Sequence, residues 1–342
     1  MKLQFRHQKF QADAANAVCE VFAGQPNGSA KYLLDQGSSG YVSGAEDITF
    51  DSFGWGNRKL VPELTDSAIL ANIRRIQLAN GLAPSEKLEG RYNLTIKMET
   101  GVGKTYTYIK TMYELNKRYG WSKFIIVVPS IAIREGVYKS FSVTQEHFAD
   151  EYGQKIRYFI YNSSQLTRVE QFASENAISA MIINSQAFNA RGRDARRIYM
   201  KLDEFQSRRP IDIIAKTNPI LIIDEPQSVE GKQTKERLKE FHPLFTLRYS
   251  ATPRESYNMV YRLDAIEAYN RNLVKKIAGK GVSASGTTAT AGYVYLDGLN
   301  LSHGAPNASL PFDTRGASGV RPCPRIVGEG SDLSHHSNDT ME

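Results

Sequence analysis

The sequence predicts an α/β domain built on a mostly parallel sheet that is flanked by helices. Apolar, β-rich runs recur between residues 92 and 252, and long helical stretches separate several of them. The runs are continuous rather than alternating, which indicates strands that are buried on both faces. A glycine-rich turn joins one run to a helix, and such turns are typical of the strand ends where parallel sheets bind ligands. The runs lie at 93–97, 124–128, 156–161, 180–184, 219–223 and 245–249.

Two predicted helices precede this core. Residues 8–22 and 67–80 space their apolar side chains as amphipathic helices do, and Asp66 or Ser67 is the expected cap of the second. The stretch 24–66 is richer in Gly, Ser and Asp and contains only short β-like pieces, which indicates an insertion or an irregular subdomain.

The composition predicts three segments along the chain. Residues 1–91 carry the N-terminal helix and the insertion, and residues 92–278 form the core domain. Residues 279–342 are rich in Gly, Ser and Pro, which predicts a weakly structured tail, and only 292–296 has the composition of a strand.

The overall composition is that of a globular protein, with 41% hydrophobic and 23% charged residues. A net charge of +7 favours a polyanionic partner. Cys19 and Cys323 are the only cysteines, from which we expect neither a disulfide framework nor a clustered metal site. The N-terminus lacks a signal-peptide pattern, and no run approaches the ~18 apolar residues of a membrane span, so we expect a cytoplasmic protein without a membrane partner.

The turn after the 93–97 run has the composition of a phosphate-binding loop. Residues 98–105 read Met-Glu-Thr-Gly-Val-Gly-Lys-Thr, and a helical stretch follows. Glycines let successive backbone N–H groups point at phosphates, and the N-terminus of the helix adds a favourable dipole. The sequence therefore predicts ATP as a cofactor, bound by Thr100, Gly101, Val102, Gly103, Lys104 and Thr105.

Within this loop we expect Lys104 to neutralise the β- and γ-phosphates and the Thr105 hydroxyl to bind Mg²⁺. Met98 stands where the general Gly-x-x-x-x-Gly-Lys-Thr pattern has its first glycine. The alternative interpretation is a glycine turn that only caps a helix.

A second chemical signal lies at the end of the 219–223 run, where Asp224 and Glu225 follow a buried strand. Open α/β sheets bind ligands at this edge. Asp224 is the expected second Mg²⁺ ligand, and Glu225 is the expected general base that activates the attacking water. Lys104, Asp224 and Glu225 are thus the predicted catalytic residues; the alternative is a polar turn after a core strand.

Two further elements fit the same site. Ser250, Ala251 and Thr252 follow the 245–249 run, and the hydroxyl groups of Ser250 and Thr252 are expected to couple the γ-phosphate site to nucleic acid and to a partner domain. Gln11 can donate and accept one hydrogen bond each, which matches the N6 and N7 edge of adenine. An exposed helix glutamine is the alternative for Gln11.

Two strand-end turns are candidates for contact with nucleic acid. Their hydroxyl and backbone N–H groups can grip phosphates without reading sequence, although plain turns explain them as well. The residues are Pro129, Ser130, Asn184, Ser185 and Gln186.

Together these strings resemble superfamily 2 helicases and translocases. More closely, the chain resembles the N-terminal part of the restriction (Res) subunit of type III restriction–modification enzymes. The Pro226-Gln227 pair after the carboxylates favours this family over helicases that continue Asp-Glu-Ala-Asp or Asp-Glu-x-His. The resemblance extends from the N-terminus to about residue 300 and rests on the strings at 10–18, 98–105, 128–136, 223–227 and 250–253.

The resemblance implies ATP-dependent movement or switching on duplex DNA. It also implies two RecA-like motor domains, a C-terminal nuclease domain that cleaves DNA in the complete enzyme, and a methyltransferase (Mod) subunit as partner. About 90 residues follow Pro253, fewer than the ~100–150 of an ordinary domain. We find no Gln-x-x-Gly-Arg-x-x-Arg string and no convincing set of nuclease residues of the Pro-Asp…Glu-x-Lys type.

We therefore expect a truncated Res subunit that binds Mg·ATP weakly and hydrolyses it slowly by itself. Two alternatives stay open: a catalytically inactive remnant that binds ATP or DNA, and another superfamily 2 DNA or RNA helicase. A kinase or transporter ATPase is less consistent with Gln11 and with the string Ser-Ala-Thr-Pro.

Overall fold

A computed structural model gives the structure of most of the chain. The chain divides into two compact units, Met1–Lys276 and Ile277–Glu342. The strand expected at 292–296 and the β-like piece at 48–50 lie outside the described residues. These are 5–28, 31–34, 52–90, 92–189, 194–201, 209–229, 231–274, 298–300, 307–316 and 319–328.

The first unit begins with two helices and a two-stranded antiparallel sheet. The elements are α1 (Lys9–Val21), β1 (Lys31–Leu34), β2 (Ser52–Gly56) and α2 (Asp66–Ala79). Thr65 caps α2, because its extended backbone lets the hydroxyl accept a 3.3 Å hydrogen bond from the Ala68 N–H. The prediction of Asp66 or Ser67 as the cap was therefore wrong by one or two residues.

A seven-stranded sheet forms the centre of the first unit, and every pair of neighbouring strands in it is parallel. The strand order is β5-β6-β4-β7-β8-β3-β9. The prediction missed β9, whose sequence Met-Val-Tyr-Arg-Leu interrupts the apolar run with an exposed arginine. The strands are β3 (Asn93–Met98), β4 (Lys123–Val128), β5 (Arg157–Ile160), β6 (Ser179–Asn184), β7 (Ile220–Asp224), β8 (Thr246–Ser250) and β9 (Met259–Leu263).

Helices connect consecutive strands from β3 to β8, a loop connects β8 to β9, and apolar side chains are buried on both faces of the sheet. In β4, Phe124 and Ile126 join one hydrophobic cluster, whereas Ile125 and Val127 join the other. This two-sided burial explains the continuous apolar runs and confirms the predicted fold class. The helices are α3 (Lys104–Tyr119), α4 (Ile131–Tyr152), α5 (Thr167–Ser174), α6 (Gln186–Asn189), α7 (Pro210–Lys216), α8 (Lys232–Lys239) and α9 (Ala265–Asn270).

None of the helices in the described part of the chain has both the length and the apolar character needed to cross a membrane.

The second unit contains a three-stranded antiparallel sheet of β10 (Gly298–Asn300), β11 (Asn307–Gly316) and β12 (Gly319–Gly328). In this unit the sequence interpretation named a strand only at 292–296 and missed β10, β11 and β12; the prolines of β11 and β12 argue against strands in a sequence read alone. The division of the chain at residues 91 and 278 stays a prediction.

Lys123, at the start of β4, is a fully buried cation. Its Nζ donates hydrogen bonds to the Phe172 carbonyl at 2.6 Å and the Glu175 carbonyl at 2.5 Å, at the end of α5. Burial lowers the pKa of Lys123 from 10.5 to about 8. The folded protein therefore binds fewer protons at Lys123 than the unfolded chain does between these two pH values.

We expect the contribution of Lys123 to the free energy of unfolding to rise by up to about 3 kcal/mol between pH 8 and pH 10.5. The penalty for burying its charge is fully present below pH 8. Denaturant unfolding of wild type and Lys123→Met at each pH measures the difference, with the exposed Lys139→Met as a control. A difference that does not change with pH would contradict this assignment.

Candidate functional site

The predicted phosphate loop connects β3 to α3 and depends on two glycines in the left-handed backbone region. Gly101 has φ 84° and Gly103 has φ 90°, and α3 begins at the next residue, Lys104. These conformations are accessible to glycine at little cost, and they place the loop at the N-terminus of a sixteen-residue helix. A Cβ on Gly103 would also lie only 2.6 Å from Gln11 Nε2.

Gln11 in α1 contacts this loop directly. Its side-chain Nε2 donates a 3.0 Å hydrogen bond to the Val102 carbonyl, and the residue is buried. The tertiary structure thus brings Gln11 to the phosphate loop across 91 positions of sequence. Its contact with adenine stays a prediction.

The acidic end of β7 meets the same loop. The Lys104 ammonium forms an ion pair with Glu225 Oε1, which joins the two strongest sequence signals in one site. Glu225 has φ 52°, and its N–H donates a 3.0 Å hydrogen bond to the Tyr249 carbonyl of β8. Because of this left-handed backbone conformation, the carboxylates of the adjacent residues Asp224 and Glu225 lie in different environments.

Asp224 lies deeper than Glu225 and is buried. Burial raises the pKa of Asp224, the Lys104 charge lowers it and the Glu225 charge raises it, and together these effects bring the pKa to about 6. The Tyr108 hydroxyl approaches Asp224 Oδ2 at 3.4 Å and also interacts with the side chain of Thr105. Thr105 and Asp224 thus share a neighbour and supply the oxygen ligands that Mg²⁺ prefers.

A polar network links Glu225 to the end of β8. The Gln227 Nε2 donates to Glu225 Oε2 at 2.6 Å, and the Gln227 Oε1 accepts from the Ser250 hydroxyl at 2.7 Å. The Ser250 hydroxyl also lies 3.4 Å from Glu225 Oε2 and accepts a 3.1 Å hydrogen bond from the Thr252 N–H. Ala251 between them is buried. The predicted coupling residues therefore adjoin the predicted base.

The candidate nucleic-acid residues also lie at the ends of neighbouring strands. The Ser185 N–H donates to the Val128 carbonyl at 3.1 Å, which ties the turn after β6 to the end of β4, next to Pro129. The Ser130 hydroxyl caps α4 by accepting from the Ile133 N–H at 3.3 Å.

Asn184 is buried, and its Oδ1 accepts a 2.9 Å hydrogen bond from the Gln186 N–H, so its side chain shapes the turn. Asn184 and the exposed Gln186 nevertheless line a groove of about 430 Å³, together with Arg134. Contact of this groove with nucleic acid stays a prediction.

Comparison with known proteins connects this geometry to a family. The family described as "Type III restriction enzyme, res subunit" matches residues 60–255, more than half of the chain. The chain belongs to this family. The match contains the phosphate loop, the acidic end of β7 and the Ser-Ala-Thr-Pro string, and it confirms the resemblance inferred from those strings.

Individual Res subunits also match the chain. The chain is 34% identical to the EcoP15I Res subunit of Escherichia coli over 236 residues, 63% of this chain and 24% of that protein. It is 33% identical over 239 residues to the EcoPI Res subunit of Escherichia phage P1, again 63% of this chain and 24% of that protein. The chain thus spans about a quarter of the length of these relatives.

A solved structure of the Sulfolobus solfataricus SWI2/SNF2 ATPase core in complex with double-stranded DNA is also similar. The similarity covers 58% of this chain and 33% of that chain, at 16% identity and a TM-score of 0.32.

Sequence reasoning missed three residues that the structure brings to these Res-family motifs. In the sequence analysis Gln227 was used only to choose between families, but in the structure it hydrogen-bonds to both Glu225 and Ser250. Tyr108 and Arg134 were not singled out. The signal for Tyr108 was its position one helical turn beyond Lys104 and Thr105, on the same face of α3.

Proposed function

We propose that this Res-family chain contains an ATP-binding and ATP-hydrolysing motor domain that acts on duplex DNA. The observation that carries the proposal is the ion pair between Lys104 and Glu225. This ion pair places the predicted phosphate loop beside Glu225, a carboxylate that could activate the attacking water. The family membership supports the same function.

The residues present fit Mg·ATP. Gly101 and Gly103 keep a cradle open for phosphates, and a side chain on Gly103 would collide with Gln11. Thr105 and Asp224 would hold Mg²⁺, which neutralises charge on the β- and γ-phosphates. Binding Mg²⁺ favours the ionised form of Asp224, whose raised pKa reflects the burial of its charge.

Lys104 would bind the phosphates, and Glu225 would activate the attacking water. The phosphates compete with Glu225 for the Lys104 ammonium, so binding of the nucleotide releases the Glu225 carboxylate. The released carboxylate then orients the attacking water and accepts its proton. Gln227 and Ser250 hold Glu225 Oε2 from the other side and fix the direction of the carboxylate.

We expect Gln227→Ala to slow ATP hydrolysis by up to about 30-fold with little change in nucleotide affinity, because it removes two hydrogen bonds worth about 1 kcal/mol each. It should also weaken any stimulation by DNA, since Gln227 links Glu225 to the coupling residues. Single-turnover hydrolysis with and without duplex DNA measures both effects. The exposed Gln233→Ala in α8 is the matched control, and equal loss in both variants would contradict the role of Gln227.

We propose the groove beside Arg134, Asn184 and Gln186 as a DNA contact of this domain. The Arg134 guanidinium and the amides of Asn184 and Gln186 can bind phosphate oxygens, and we propose that the contact is to the DNA backbone and therefore independent of sequence. Cleavage of DNA and assembly with a methyltransferase (Mod) subunit are proposed only for a complete Res enzyme. The names of the relatives, which are Res subunits of restriction–modification enzymes, support this wider role.

For a polypeptide of residues 1–342 we expect Mg²⁺-dependent ATP binding and slow hydrolysis. An arginine finger from a second motor domain can be worth about 10³–10⁵ in rate. Binding and turnover, measured with and without duplex DNA, test the proposal. Absence of ATP binding would overturn it, whereas rapid DNA-stimulated turnover by this polypeptide alone would contradict the need for a second domain.

A further inference from the structure

His7, His147 and Glu151 form a cluster of metal-ligating side chains, and none of the three is among the predicted nucleotide ligands. One ligand atom from each residue lies within 4.8 Å of the other two. Glu151 Oε2 is 3.9 Å from His7 Nδ1 and 3.9 Å from His147 Nε2. Two imidazole nitrogens therefore face the same carboxylate oxygen.

The fold builds this cluster from two distant segments. His147 and Glu151 are four residues apart in α4, which places them on the same face of the helix. His7 comes from the segment that precedes α1. The Phe5 ring packs against His147 with the ring centroids 5.2 Å apart, which holds this segment beside α4.

Neighbouring side chains already interact with the cluster: Lys110 and Tyr152 with Glu151, and Tyr106 with His147. These contacts are compatible with a bound ion. The Lys110 ammonium forms a 2.5 Å ion pair with Glu151 Oε1, which leaves Oε2 directed at the histidines. The Tyr106 hydroxyl hydrogen-bonds His147 Nε2 at 2.7 Å, and an ion would replace this bond. The positive charge of Lys110 opposes a cation, so the expected affinity is moderate.

The ligand set determines which metal fits. Two imidazole nitrogens and one carboxylate oxygen suit Zn²⁺ and related divalent transition metals, whereas Mg²⁺ and Ca²⁺ prefer oxygen ligands alone. We propose that His7, His147 and Glu151 bind a divalent transition-metal ion such as Zn²⁺. The ion ties the segment before α1 to α4 and leaves a fourth coordination position open.

Tetrahedral coordination by bonds of about 2.0–2.1 Å places the ligand atoms roughly 3.3 Å apart. The present 3.9 Å contacts therefore need to contract by about half an ångström. His7 can make this movement, because its side chain is 65% exposed and lies outside regular secondary structure.

Titration of the whole chain with Co²⁺ and Zn²⁺ tests the site without ATP or Mg²⁺. We expect one Co²⁺ ion to give the visible absorption bands of a four-coordinate site, and Zn²⁺ to remove them. His7→Gln and His147→Gln should each weaken binding by about tenfold or more, since even the loss of an outer hydrogen-bonding partner costs 10–100-fold.

His335 and His336 near the C-terminus supply the matched control, because adjacent histidines can bind metals by themselves. The double variant His335→Ala/His336→Ala should keep the affinity and the spectrum of the Co²⁺ site. Loss of the spectrum in this double variant, with retention in His7→Gln, would overturn the proposal. Thermal unfolding without metal shows whether each variant is folded, and the exposed His7→Gln tests the site even if His147→Gln unfolds.

Discussion

Replacing Lys104 with alanine should weaken the binding of Mg·ATP by about 100-fold, because truncating one partner of a buried charge pair costs 2–5 kcal/mol. The Lys104 side chain is only 11% exposed, so little water would compensate for the lost ammonium. Titration with ATP in the presence of Mg²⁺, by calorimetry or with a fluorescent analogue, measures the change.

Lys139→Ala is the matched control for this substitution. Lys139 is an exposed residue of α4, and its loss removes the same charge from the chain without touching the phosphate loop. Glu225 loses its partner in Lys104→Ala but stays partly exposed and hydrogen-bonded to Gln227, so the protein should remain folded. Affinity within threefold of wild type would contradict the assignment of the loop.

Glu225→Gln should separate binding from hydrolysis. The amide keeps the size of the carboxylate but cannot accept a proton from water, so hydrolysis should fall by about 10²–10⁴-fold. The affinity for ATP should be unchanged or higher, because Lys104 no longer forms an ion pair with residue 225 and can turn fully to the phosphates. Single-turnover assays with enzyme in excess measure rates that are slow in the wild type.

The exposed Glu240→Gln provides the control for the loss of one carboxylate. It should leave both affinity and rate at the wild-type level. Hydrolysis by Glu225→Gln within tenfold of wild type would show that another group activates the water. Parallel loss of binding and hydrolysis would instead assign Glu225 to the binding of Mg·ATP.

The core of the fold could be predicted because burial on both faces imposes a continuous apolar run on each strand. The runs at 124–128 and 180–184 coincide closely with β4 and β6. β9 was missed because Arg262 points out of the sheet and breaks its run. The strands of the second unit contain prolines, and their pairing depends on partners that a local pattern does not reveal.

Some residues of the candidate site could likewise be predicted from the sequence, and others could not. The glycines of the loop and the carboxylates of Asp224 and Glu225 were predictable, because phosphate and Mg²⁺ chemistry restricts residue type and spacing. The role of Gln227 was not predictable, because it depends on the distance between two strand ends. The N-cap of α2 was also not predicted correctly, because Thr65 and Asp66 can each cap a helix and only the backbone angles decide which of them does so.

The sequence by itself thus determined the family, the parallel sheet and the chemical identity of the predicted nucleotide ligands, because each of these is encoded in short local strings. Only the tertiary structure decided that Lys104 meets Glu225 across 121 positions and that Gln227 joins Glu225 to Ser250. It also gathered His7, His147 and Glu151 from two segments. The physical reason is that contacts between distant positions depend on strand order and helix packing, which no local pattern of residues specifies.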